Sequence, residues 1–321
     1  MAGRAIRYWM VWVGFLLVGG SGLAGLPVGV QAQEDIVLRS NLVTVEVTVT
    51  DPQGRPIAGL RPDDFLLYED DQPRRIEFFQ ANGERALRPL AVVFAFDVSG
   101  SVTPEEAALQ RRALEAFLVE RHPDSMFALV TFNNEVRVLE GFTKDTSKLL
   151  SKLDRFKNFG GSTRLFDALD RSVTLLRKVP RQRNGRLLRR LIVVLTDGFD
   201  SASNVNLDDL LRRVNEQEVT VYSVTAPSYT LTVAGRMRVP TPLDATRLIS
   251  LTGGRDFPMT PGKDYSDSFR AIAKDAATSY TLAYEPGDTP AGRTGFRRIS
   301  VRLRQLEARV RTSREGYYVQ P

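Results

Sequence analysis

Two textures alternate along this chain. Over 42–50, LVTVEVTVT sets Val43, Val45, Val47 and Val49 against Thr44, Glu46, Thr48 and Thr50, the period of two expected of a strand with one buried face. Turn residues follow at Asp51-Pro52-Gln53-Gly54 and Ala58-Gly59, and short strands are predicted near 64–69 and 75–80. The texture returns at the other end, where Ile299, Val301 and Leu303 alternate with Arg298, Ser300, Arg302 and Arg304 between SYTLAYEP (279–286) and EGYYV (315–319). Neither end can bury enough apolar surface to stand alone without disulfides or metal. The pattern predicts that residues 35–85 and 279–320 pair into one antiparallel β-sandwich of about seven or eight strands. The alternative is two small sheets packed separately on the segment between them.

From 88 to 278 the pattern changes to continuous apolar runs separated by amphipathic stretches. The runs at 90–96, 126–132, 191–196 and 219–225 have no polar face, as expected of strands covered by helices on both sides. Helices are predicted from Thr103, as N-cap before Pro104 and with Glu106 closing a capping box, and over 146–156, 165–176, 207–217, 243–251 and 267–276. Phe132-Asn133-Asn134-Glu135-Val136 reads as a tight hairpin leading to an antiparallel edge strand at 136–140. The fold class is therefore α/β, a doubly wound, mainly parallel sheet inserted in the β-sandwich.

The first residues, MAGRAIRYWMVWVGFLLVGGSGLAGLPVGVQAQED, join Arg4 and Arg7 to an apolar stretch and end in Val30-Gln31-Ala32. This predicts a secretory signal over 1–32, cut after Ala32, and hence a periplasmic or secreted protein with no membrane span after cleavage. Cysteine is absent, so stability must come from packing. The net charge of +6 is modest, and its densest cluster, 181–190, reads as a solvated basic loop. Without a basic face interleaved with aromatics, nucleic acid is not an expected partner.

Chemistry concentrates where the apolar runs end. The first closes in Asp97-Val98-Ser99-Gly100-Ser101 and the third in Thr196-Asp197-Gly198. Open parallel sheets collect ligands at the carboxyl ends of their strands. Asp97 with hydroxyls at i+2 and i+4, joined by Asp197, describes an oxygen-only site for a hard divalent cation. A third hydroxyl, Thr163, follows the flexible Gly160-Gly161 pair and precedes the helix predicted at 165. Asp200 reads as a solvated neighbour.

These three separated motifs, in this order, resemble the von Willebrand factor type A domain, and the flanking strands resemble those of bacterial proteins related to it. The resemblance covers about 89–277. It implies that Ser99, Ser101 and Thr163 hold a metal through hydroxyls while Asp97 and Asp197 act directly or through water. The ion implied is Mg²⁺, or else Mn²⁺ or Ca²⁺. Neutral hydroxyl ligands leave such an ion electron-poor, so it accepts a further carboxylate from outside. The expected function is metal-dependent protein binding in adhesion or scaffolding, with a partner that presents an acidic residue. A purely stabilising metal in an envelope assembly is the alternative.

Enzymatic readings fare worse. A phosphoryl-accepting Asp97 would want a second acid at i+2, where Ser99 stands. An acyl-accepting Ser99 lacks a base, because the only histidine, His122, falls beyond the first helix at the other edge of the sheet. No phosphate-cradling loop of the G-x-x-x-x-G-K kind occurs. The long connector 226–242 leaves a strand on the metal side and reads as a protruding hairpin, in which Tyr229, Arg236 and Arg238 are candidates for partner selection.

Overall fold

The computed structural model describes residues 42–81, 88–100, 102, 104–119, 121–184, 186–197, 199–226, 228–232, 235–239, 245–259, 264–288, 295–304 and 307–319, with only the backbone of 104, 228–232 and 235–239. The predicted signal 1–32 and the predicted N-cap Thr103 lie outside these residues. In chain order come β1 (Val43–Thr50), β2 (Phe65–Glu69), β3 (Gln72–Arg74), β4 (Phe78–Ala81), β5 (Leu90–Asp97), α1 (Pro104–Val119), β6 (Met126–Phe132), β7 (Val136–Thr143), α2 (Thr146–Asp154) and α3 (Leu165–Leu176). There follow β8 (Gln182–Arg183), β9 (Arg186–Leu187), β10 (Arg189–Thr196), α4 (Leu207–Glu216), β11 (Val219–Thr225), β12 (Ser228–Thr232), β13 (Gly235–Val239), α5 (Thr246–Leu251), β14 (Asp256–Pro258) and α6 (Ser266–Ala277). The last strands are β15 (Tyr280–Tyr284), β16 (Gly295–Leu303), β17 (Arg309–Thr312) and β18 (Gly316–Val319).

The four uninterrupted apolar runs become the inner strands of a six-stranded sheet ordered β14-β11-β10-β5-β6-β7. All its pairings are parallel except β6 with β7, where Phe132 faces Val136 across the turn. One face packs Phe94, Phe96, Leu129 and Leu195 against Leu114, Phe117 and Leu149 of α1 and α2 and Phe269 and Ile272 of α6. The other packs Val93, Ala95, Val130 and Val194 against Leu169, Leu210 and Leu248 of α3, α4 and α5. Burial on both faces explains why these strands carry no polar stripe. At an edge, β14 was not anticipated: three residues, one of them proline, leave no periodic signal.

The chain ends form two four-stranded antiparallel sheets, β17-β1-β15-β4 and β18-β16-β2-β3. Val45, Val47 and Val49 of one and Phe65, Leu67, Ile299 and Val301 of the other share a single core with Tyr280 and Leu282. This is a sandwich rather than two separate sheets. Asp70 and Asp71 both adopt positive φ, 49° and 63°, and so turn β2 into β3 in the hairpin geometry that matches strand twist. The strand predicted at 75–80 accordingly begins later, as β4 at Phe78–Ala81, and β3 at Gln72–Arg74 was not anticipated.

The polar face of β1 is not solvated: Glu46, Thr48 and Thr50 are all buried. Arg88, just before β5, donates to Glu46, to Thr281 Oγ1 (2.9 Å) and to the Leu187 carbonyl (3.0 Å). Ser313 Oγ accepts from Glu46 N at 3.0 Å. The basic cluster at 181–190 departs from expectation in the same way. It contains the β8–β9 ladder and ends in two buried arginines, Arg189 donating to the Ala276 carbonyl (2.9 Å) and Arg190 to that of Val179 (2.7 Å).

A buried polar cluster ties the last helix of the α/β sheet to the sandwich. Asp275 of α6 accepts from Arg311 of β17 at 2.5 Å and from the Tyr222 hydroxyl of β11 at 2.6 Å, and Arg189 reaches Tyr222 at 3.3 Å. Burial pushes the Tyr222 hydroxyl well above its ordinary pKa. Arg311 also donates to the carbonyls of Gly253 and Gly254. Removing one member of such a cluster strands the charges that remain. Asp275→Ala is therefore expected to cost about 3–5 kcal/mol, read as a lowered urea midpoint, whereas Tyr222→Phe should cost about 1 kcal/mol.

Candidate functional site

The carboxyl ends of β5 and β10 lie side by side, Phe96 pairing with Leu195, so Asp97 and Thr196 emerge together on the face covered by α3. Asp97 is buried. Its two carboxylate oxygens are held by different segments: Oδ1 accepts from Ser99 N at 2.9 Å and Oδ2 from Thr196 Oγ1 at 2.8 Å. Its carbonyl accepts from Gln110 Nε2 of α1 at 2.8 Å. Burial pushes the Asp97 carboxyl up to about 6, the Ser99 hydroxyl opposes that shift, and the negative charge of Asp197 adds to it.

The glycine loop is stitched onto this strand end. Gly160 N donates to the Val98 carbonyl at 2.8 Å, and Gly100 N to the Gly161 carbonyl at 3.0 Å. Gly160 and Gly161 take φ of 111° and 92°, where a side chain is strained. At Gly161 a Cβ would also stand 2.5 Å from the Asn134 amide. Asn134, in the turn between β6 and β7, accepts from both the backbone N and the hydroxyl of Ser162, each at 2.7 Å.

Thr163 follows, buried, and the loop after β10 clamps it. Its N donates to Ser201 Oγ at 2.9 Å, while its carbonyl accepts from Ser201 N (2.9 Å) and Ala202 N (3.2 Å). The first amides of α3 are met by other residues: Phe166 N by Asp200 at 3.3 Å and Asp167 N by Ser203 Oγ at 3.0 Å. Asp200 is thus part of this clamp rather than a solvated neighbour. Capping does not require the Thr163 side chain, since the N-cap position of α3 is Arg164.

The structure therefore gathers Asp97, Ser99, Thr163 and Asp197 at one rim, drawn from three distant stretches of chain. Ser101 and Gly198 lie outside the described residues. The predicted hairpin forms as β12 and β13, with Tyr229 paired to Arg238 and Leu231 to Arg236 in the backbone register. It follows Ala226, whose N donates to the Thr196 carbonyl at 2.8 Å, so it springs from the same rim; the side chains of Tyr229, Arg236 and Arg238 lie outside what is described. Sequence reasoning missed Asn134, Gln110, Ser201 and Ser203. Of these only the serines, in the polar run D-G-F-D-S-A-S after β10, left a local signal.

Oxygen donors from several segments thus converge where β5 and β10 end, the position at which open, doubly wound sheets generally take up ligands. Residues 91–243 match the von Willebrand factor type A domain, a family whose members typically mediate protein interactions rather than catalysis. Collagen alpha-5(VI) chain of Mus musculus is 26% identical over 151 residues, 42% of this chain and 5% of that one, so the chain spans a small fraction of that relative. Among solved structures, von Willebrand factor type A from Catenulispora acidiphila is similar with a TM-score of 0.48 and 12% identity, over 86% of this chain and 73% of that one. An aerotolerance-related membrane protein from Bacteroides fragilis reaches a TM-score of 0.45 with 14% identity, over 58% of this chain and 98% of that one.

Because Gly161 holds a positive φ against Asn134, Gly161→Ala is expected to cost about 1–3 kcal/mol in chemical unfolding. Asn134→Ala should loosen the same loop, read as faster amide hydrogen exchange at Gly161 and Ser162 with the inner strands unaffected.

Proposed function

We propose that this rim binds a divalent cation, Mg²⁺ or its substitutes Mn²⁺ and Ca²⁺, and through it an acidic residue of a protein partner. Asp97, Ser99, Ser101, Thr163 and Asp197 would hold the ion. The observation that carries the reading is the set of hydrogen bonds joining Asp97 to Thr196 and the Val98–Gly100 segment to Gly160 and Gly161. They fix the Asp97 carboxylate and tie the segment carrying Ser99 to the glycine loop that leads into Thr163, which supports the reading.

The donor set suits a hard cation: all its ligating atoms are oxygens, with no imidazole or thiolate to favour a softer metal. Two adjacent carboxylates, one of them buried, are costly without a counter-charge, and a cation supplies one. When bound, the ion adds a Lewis-acidic point that a partner's carboxylate can approach. The protein holds its own oxygens in place before any partner arrives, which lowers the ordering cost of binding. The β12–β13 hairpin, which follows Ala226 at the end of β11, would select the partner through Tyr229, Arg236 and Arg238, the arginines pairing anionic groups. The amino-terminal pattern at 1–32 supports an exported protein, periplasmic or secreted. No helix among the described residues is long and apolar enough to cross a membrane.

Titration calorimetry tests the site. Wild-type protein should bind Mg²⁺ or Mn²⁺ at one site, and Asp97→Ala and Thr163→Ala should each weaken binding by about tenfold or more, with unfolding still cooperative. Crosslinking in envelope extract should recover a partner that is lost when chelator is added beforehand; recovery indifferent to chelator would leave the metal a stabilising role only. Replacing 229–239 by a short Gly-Ser turn should preserve ion binding and reduce partner recovery, and unchanged recovery would remove the hairpin from the proposal.

A further inference from the structure

A second concavity lies away from the rim, between α4, α5 and the β16–β18 edge of the sandwich, with a volume of about 860 Å³. That is within the range of roughly 300–1,000 Å³ usual for small-ligand sites. Its lip carries two aromatic rings. Phe296 and Tyr318 sit opposite each other across β16 and β18, with centroids 5.1 Å apart and ring planes inclined at 62°. They are 47% and 60% exposed, unlike the other phenylalanines and tyrosines of the sandwich core. Gly316 makes room for this arrangement, since a Cβ there would stand 2.4 Å from the Phe296 ring. The β18 register therefore builds the aromatic surface.

The charges lining the cleft are nearly balanced. Asp208 and Glu315 face Arg212 and Arg247 among the lining residues, with Arg247 donating to Asp208 at 3.3 Å and Arg212 ion-paired to Asp209. With Asp209 counted, a single excess negative charge remains, which disfavours an anionic ligand. What remains is a set of planar polar groups, guanidinium and carboxylate, that can each engage two neighbouring hydroxyls at once. Asn215 lines the same cleft, and its side-chain oxygen is buried without a hydrogen-bond partner; turning the amide into the cleft would present that oxygen to a ligand hydroxyl and offset its desolvation.

We propose that this cleft binds a neutral oligosaccharide, with the C–H face of a sugar ring lying on Phe296 and Tyr318 and its hydroxyls bonding Asn215 and the paired charges. Exposed aromatic rings beside nearly balanced, planar, two-pronged polar groups match a ligand that is apolar on one face and rich in hydroxyls around its edge. An extended peptide added to the outer strand β18 is the rival occupant. This proposal is independent of the metal rim.

The test is calorimetry on the full chain with cellohexaose, maltohexaose and chitohexaose, followed by an array of neutral glycans. Saturable binding to at least one of them is expected. Tyr318→Ala and Phe296→Ala should each weaken it about tenfold, and Asn215→Leu should weaken it too, while chelator and Asp97→Ala leave it unchanged. Both rings are exposed, so thermal unfolding of these variants should match wild type. No binding to the three hexasaccharides or the array would overturn the proposal. So would glycan binding insensitive to loss of both rings, or a cleft that takes up only peptides from a displayed library in a Tyr318-dependent manner.

Discussion

The structure of the rim depends on one short run of backbone hydrogen bonds, those between Val98–Gly100 and Gly160–Gly161. Strand β5 fixes Asp97, but a residue beyond the end of a strand has no ladder to hold it. The glycine loop supplies that ladder from outside, and only glycine tolerates its conformation. Once the loop is seated, Thr163 is carried to the same place, and the Asp200–Ser203 segment closes over it through contacts with the start of α3. Each hydrogen bond is worth only about 1 kcal/mol. Their joint effect is to convert three loops, ordinarily the mobile parts of a fold, into a fixed set of oxygens.

The same division of labour appears at larger scale. The parallel sheet is held by apolar burial on both faces, which is non-directional. The union of sheet and sandwich is held by specific polar groups: Arg88 with Glu46 and Thr281, and Asp275 with Arg311 and Tyr222. Hydrophobic packing sets which elements are buried; the buried charges set how the two layers meet, because any other arrangement would leave them unpaired.

That division also explains what could be read from sequence. The inner strands were legible because four uninterrupted apolar runs have few alternative explanations, and α3 and α4 because their apolar stripes are regular. The strands of the sandwich were legible as a texture but not in detail. β17 reads Arg-Val-Arg-Thr, too short and too charged to announce a strand. The alternation in β1 was seen, yet it could not tell a polar face turned to water from one turned to buried arginine. In the sequence, Asp97, Ser99, Ser101 and Asp197 stood out because strand ends concentrate chemistry, and Thr163 because it follows a glycine pair and precedes a helix. Asn134, Gln110 and Ser201 did not, because each acts on backbone tens of residues away or across an element, and such pairings leave no local pattern.

Diffraction from crystals soaked in Mn²⁺, collected for its anomalous signal, tests the central claim most directly. The account predicts one strong peak at the rim, in contact with the hydroxyls of Ser99, Ser101 and Thr163 and abolished in Asp97→Ala crystals. A rim without a peak at saturating Mn²⁺, or a peak held by other residues, would contradict it.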